Sequence, residues 1–177
     1  GDLYIETRAV RLDESQVERI MDLMHDDATL HGLDPMPGAP AALRAWAAAG
    51  RQLVIVTGRP PSSRAASEAW LVRHAIPWSE FLFVDKYRRM ARMDPGSSFL
   101  TLEAFQQRRF AVAVEDSADM AAFLVREMRV PTVLLQRPWN MNHLPSDVRD
   151  DPRLAVCRDW SEIDARFGPA SAPGQGQ

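Results

Sequence analysis

Apolar positions in this chain gather into short unbroken runs separated by longer stretches of mixed character. Leu53-Val-Ile-Val56, Phe81-Leu-Phe-Val84, Phe110-Ala-Val-Ala-Val114 and Thr132-Val-Leu-Leu135 each have strand length. Runs without alternation mark strands buried on both faces, as in a parallel sheet covered by helices. Between them, residues 61–74, 98–108 and 117–128 carry helical spacing. The alanine-rich segment Ala39–Ala49 reads as a helix ended by Gly50, the residue type favoured just past a helix C-terminus. Leu154-Ala-Val-Cys157 adds an edge strand. Strands and helices alternating through short connections predict βαβ units with right-handed crossovers. The expected fold is a three-layer, doubly wound α/β domain with a parallel sheet.

The pattern thins toward the ends. Leu3-Tyr-Ile-Glu-Thr7 suggests a short strand, and Val17, Ile20, Met21 and Met24 follow one helix face beginning near Asp13. Residues 1–167 are expected to form a single domain, with 1–32 either a small cap or a degenerate first strand plus helix. From Gly168 onward the tail has too little apolar content to fold and is expected to be disordered. No internal repeat is present.

Composition narrows the function classes. A chain of 177 residues can bury roughly 70% of its unfolded surface. The formal charge is -3, with basic residues scattered among acidic ones, so the basic stripe of a nucleic-acid binder is absent. No run approaches the roughly 18 apolar residues of a membrane span, and no basic segment leads into an apolar one at the N-terminus. Cys157, the single cysteine, rules out an intrachain disulfide and a multi-thiolate zinc site, and its apolar setting suggests a buried thiol. These features predict a soluble cytoplasmic protein.

The candidate chemistry lies where the apolar runs stop. Thr57 and Gly58 close one strand ahead of a helix, where a hydroxyl and free backbone N–H groups suit a phosphate, with Arg59 beside them. Glu115 and Asp116 close another, offering two hard oxygen donors of the kind Mg²⁺ takes while keeping several waters; Asp119 follows one helical turn on. Helix capping by Asp116 or Ser117 is the ordinary alternative and is compatible with metal binding. Lys86, the only lysine against twenty arginines, follows a third strand, where its ammonium would neutralise a phosphoryl group. His25, His31, His74 and His143 lack metal-site spacing. Trp139, in the Arg137–Asn142 loop, is expected to seal the core, and the remaining tryptophans to pack.

With those residues in that order, the chain resembles the haloacid dehalogenase-like superfamily of phosphohydrolases across residues 33–142. Val54-Ile-Val-Thr57 looks like the second motif, which grips the transferring phosphoryl group. Lys86 looks like the third-motif lysine, and Ala113-Val-Glu115-Asp116 like the fourth motif that holds Mg²⁺. Leu33-Asp-Pro-Met-Pro-Gly-Ala39 and Val133-Leu-Leu-Gln-Arg-Pro-Trp-Asn140 are similar to the deoxyribonucleotidase-like branch. The resemblance implies a Mg²⁺-dependent phosphomonoester hydrolase acting on a phosphorylated small molecule, a nucleotide being one candidate.

The resemblance also identifies a departure. The superfamily's first motif is an Asp-x-Asp at the end of the first strand, supplying the nucleophile and the general acid and base. No Asp-x-Asp closes an apolar strand in this chain. Leu3–Ala9 would put Glu6 at the nucleophile, Arg8 at the acid/base and Ala9 in place of a glycine. A guanidinium does not act as a base, and a longer carboxylate misplaces the attacking oxygen. The alternative places residues 3–31 in a cap and the nucleophile upstream of Gly1. In this superfamily the first strand lies between those ending at Thr57 and near Glu115, so without Leu3–Thr7 or another segment in that slot the sheet would split. Asp159 more simply belongs to the terminal strand and helix. The competing functional expectation is a catalytically degenerate domain that senses a phosphate ligand or binds a partner.

Overall fold

From Leu53 onward, each apolar run that predicts a strand contains one. The computed structural model describes residues 26–86, 88 and 90–169, with positions 13, 16, 19, 20 and 23 before them. The segment Leu3–Thr7, with Glu6 and Arg8, and the tail from residue 170 lie outside the described residues. The strands are β1 (Val54–Thr57), β2 (Glu80–Phe83), β3 (Ala113–Glu115), β4 (Thr132–Leu135) and β5 (Leu154–Cys157). The helices are α1 (Asp27–Gly32), α2 (Ala39–Ala48), α3 (Arg64–Arg73), α4 (Met90–Met93), α5 (Leu102–Gln106), α6 (Ala118–Arg126), α7 (Ser146–Arg149) and α8 (Trp160–Phe167).

All strand pairs are parallel. β1 pairs β2, with Thr57 opposite Phe83. β3, β4 and β5 form a second sheet in that order, with Glu115 opposite Leu134 and Leu135 opposite Cys157. The fold is therefore α/β with two small parallel sheets. Among the described residues no strand joins β1 to β3.

Element boundaries shift for local reasons. Phe110–Val112 are expected in a strand, yet β3 begins at Ala113, whose N–H donates to the Pro131 carbonyl at 2.9 Å where its neighbour β4 is about to start. The helix expected from residue 98 begins at Leu102, because Thr101 caps it by accepting from the Ala104 amide at 3.2 Å. Leu100 instead forms a parallel bridge to Val84. The helix expected from residue 61 opens as a 3₁₀ turn, Pro61–Ser63, before α3.

The core centres on β4. All four of its residues are buried, and Val133 and Leu134 are completely so. Its side chains alternate, as a strand requires. Val133 and Leu135 meet Trp46, Cys157 and Ile163 from α2, β5 and α8. Leu134 meets Ala121, Val125 and Val148 from α6 and α7. Removing a Val or Leu side chain of this kind from water contributes about 1.5–3 kcal/mol. α6 is the principal cover of this sheet. Ser117 caps it by accepting from the Met120 amide, and Asp119 in its first turn complements the helix dipole. No helix among the described residues is long and apolar enough to cross a membrane.

Candidate functional site

Parallel strands within a sheet finish at a common edge. Thr57 ends β1 and Lys86 follows its paired strand β2, Glu115 ends β3 of the other sheet, and Lys86 and Glu115 meet across the gap between the sheets. Thr57 is the last residue of β1, and its hydroxyl accepts from the Arg59 amide at 3.1 Å, a turn that folds the chain over Gly58. The Arg59 guanidinium is half-buried, and burial pulls its pKa below the ordinary value. Beyond β2 the Asp85 amide donates to Leu100 at 2.8 Å and the Lys86 amide to Val84 at 2.7 Å. This tight turn presents Lys86 at the sheet edge.

Lys86 and Glu115 meet there, with Nζ 3.1 Å from Oε2 and the two side chains only 11% and 13% exposed. The other carboxylate oxygen of Glu115 accepts from two amides, Asp116 at 3.0 Å and Ser117 at 3.1 Å. Burial alone pushes the Glu115 carboxyl up, but the Lys86 ammonium and the two amides outweigh it and hold it below the ordinary carboxylate range. Asp116 next to it is pushed the other way. Desolvation first, and then the Glu115 charge, raise its carboxyl above the ordinary aspartate value. Two adjacent carboxylates with opposed shifts are a common sign of a functional site.

The donor chemistry fits Mg²⁺. Asp116 stands exposed just past the end of β3 with its charge destabilised, and a divalent cation would relieve that while keeping waters on its open faces. Glu115, whose oxygens are shared among Lys86 and two amides, contributes by fixing the geometry as much as by coordinating. Asp119 is exposed in the first turn of α6. Among the described residues no cluster of three or more His, Cys, Asp or Glu side chains is assembled for a metal. Any ion here would therefore lean on substrate oxygens and water.

Two contacts escape sequence reasoning. Asp94 accepts from the Ser62 amide and from the Ser97 hydroxyl, both at 2.7 Å, tying the loop after Lys86 to the turn after Thr57. The Ser97 hydroxyl and the Ser62 amide hold the Asp94 carboxyl below its ordinary range. Asn140, 2% exposed, bonds the loop after β3 to the end of β4. Its sequence signal is its place at the end of the Val133–Asn140 stretch, which does not separate it from a solvated loop asparagine. Trp139 is half-buried and His143 exposed in the same loop.

Below this edge lies a cavity of about 1030 Å³ between the two sheets. Leu53–Val56 line one side and residues 110–115 the other; Leu43 and Trp46 of α2, and Phe105, Met120 and Leu124 of α5 and α6, also face it. Lys86 and Glu115 stand at its rim. The chain matches no family model, no curated protein and no solved structure.

Proposed function

We propose that the chain is a Mg²⁺-dependent phosphomonoester hydrolase of the haloacid dehalogenase-like type. The observation that carries this reading is the meeting of Lys86, after β2, with Glu115, at the end of β3 next to Asp116, while Thr57 ends β1, the parallel neighbour of β2. In this reading Thr57 and the Gly58 amide hold the phosphoryl oxygens, and Lys86 neutralises and orients the group. Glu115 keeps Lys86 in place, and Glu115 and Asp116 would hold Mg²⁺. The bound ion would supply Lewis-acid stabilisation of charge on the phosphoryl oxygens.

The reading also requires an attacking carboxylate. Protein interiors leave few voids larger than a water molecule, so about 1030 Å³ between two strand edges is room for a segment of chain. A parallel strand there would join both sheets into one doubly wound, three-layer sheet. Its carboxyl end would reach the rim beside Lys86, where a carboxylate oxygen could attack phosphorus and displace the alcohol.

The test is inorganic phosphate release from a panel of phosphomonoesters, nucleotides included, with Mg²⁺ and with chelator. Turnover should need Mg²⁺, and Thr57→Ala should lower kcat by about 10²–10³-fold, the scale for losing one donor to developing charge. Phosphate release from none of the esters would overturn the reading. The absence of an Asp-x-Asp closing an apolar strand favours a second one, a phosphate-sensing or partner-binding domain without catalysis. Under that reading Mg²⁺ with phosphate raises the melting temperature, because a ligand of the native state stabilises it, while nothing is hydrolysed.

A further inference from the structure

We propose that Asn140 is the positioning residue of the metal-binding loop, clamping the Asp116–Ser117 peptide to the end of β4 so that Asp116 stands where a cation can be held. The inference rests on the metal site of the hydrolase reading and concerns a residue that the motif comparison leaves without a role.

The geometry uses the whole carboxamide. Nδ2 donates one proton to the Asp116 carbonyl at 2.9 Å and the other to the Leu135 carbonyl at 2.8 Å, while Oδ1 accepts from the Arg137 amide at 3.0 Å. Three backbone groups from two strand-end loops thus converge on one side chain that is 2% exposed. The peptide it grips is held from both sides. Its carbonyl, on Asp116, bonds to Asn140, and its N–H, on Ser117, donates to Glu115 Oε1 at 3.1 Å. Glu115 in turn bonds Lys86 through its other oxygen at 3.1 Å. A continuous hydrogen-bonded path therefore runs from β4 through Asn140 and the Asp116–Ser117 peptide to the Lys86–Glu115 pair. Among side chains of this length, only asparagine offers two donors and an acceptor together. Aspartate would set carboxylate oxygens against two carbonyls, and alanine would leave three backbone groups unpaired.

Groups that orient a metal-binding residue without touching the metal change affinity by roughly 10–100-fold when removed. The experiment is calorimetric titration of Mg²⁺, with inorganic phosphate present, into wild type, Asn140→Ala, Asn140→Asp and Val148→Ala. Val148, 1% exposed in α7 and packed in the cluster under α6, provides a destabilised control that removes no hydrogen-bonding group from the loop. The expected result is a Mg²⁺ Kd raised at least tenfold in both Asn140 variants and kept within about twofold of wild type in the control. Equal Kd values in Asn140→Ala and wild type would overturn the assignment. Absence of Mg²⁺ binding to wild type would overturn the metal site itself, and the assignment with it, and is recognised from the wild-type titration alone. Should the Asn140 variants fail to fold, NMR of the intact protein decides: the Asn140 carboxamide and Ser117 amide resonances should move as Mg²⁺ is added, and their staying fixed at saturation would overturn the proposal.

Discussion

Lys86→Met is expected to lower folding stability by about 3–5 kcal/mol and, in the hydrolase reading, to abolish turnover. The stability loss arises because Glu115 keeps its burial, at 13% side-chain exposure, while losing the ammonium 3.1 Å away. An ion pair of this kind need not stabilise the fold relative to an apolar pair, but removing one member strands the other. Lys86→Met with Glu115→Gln should therefore recover much of the loss, since the glutamine oxygen can still accept from the Asp116 and Ser117 amides. The pH dependence has a definite sign. The Glu115 carboxyl is held low in the folded state, so its contribution is present above its unfolded value, roughly 4.3, and disappears as pH falls through the folded one. The gap between wild type and Lys86→Met in urea unfolding should narrow below about pH 4. Equal unfolding midpoints at pH 7 would refute the argument.

Asp116→Asn should do the opposite to stability while removing function. Desolvation and the neighbouring Glu115 charge raise the Asp116 carboxyl, so its ionisation opposes folding. A raised group stabilises the fold below its unfolded value and loses that contribution as pH climbs through the folded one. At pH 7 the neutral amide should unfold no more easily than wild type, with a gain limited to about 1 kcal/mol because the residue is exposed. Mg²⁺ should no longer raise the melting temperature, and kcat should fall by more than about 10²-fold. Such an exchange of stability for activity is expected where a charge is held against its preference. A melting temperature several degrees below wild type, with the Mg²⁺ response intact, would show that Asp116 is a structural cap instead.

Much of this arrangement can be read from the chain because buried strands are written as uninterrupted apolar runs. The run Thr132–Leu135 matches β4 residue for residue, and Leu154–Cys157 matches β5. Thr57, Lys86, Glu115 and Asp116 are legible for the same reason, since each follows directly on such a run. Their pairing is not legible. Lys86 and Glu115 lie 29 residues apart, and only the register of two separate sheets decides that their side chains meet. Glu115 reads as a metal ligand from sequence, yet its oxygens are engaged by Lys86 and two amides, a division of labour that depends on three-dimensional direction. Asn140 and Asp94 escape for a related reason. Their partners are mostly backbone groups, which carry no residue identity, so the Val133–Asn140 stretch includes Asn140 without showing what it binds, and Asp94 has no signal at all. The start of β3 was misplaced because Phe110–Val112 are apolar enough for a strand, while strand assignment depends on the neighbour's hydrogen bonds.

The division into two sheets also orders the molecule in time. Residues 113–157 form a contiguous block in which β4 is paired on both sides and covered by α6, with all its side chains buried. Among the described residues β1 and β2 are paired only with each other, apart from the Val84–Leu100 bridge, and β1 is half-buried throughout. Amide exchange should therefore resolve two cooperative units, with Thr132–Leu135 opening only on global unfolding and Val54–Thr57 opening earlier. The Lys86–Glu115 pair would then join a half that opens early to a half that opens last, so exchange at Thr57 should rise before exchange at Glu115 does.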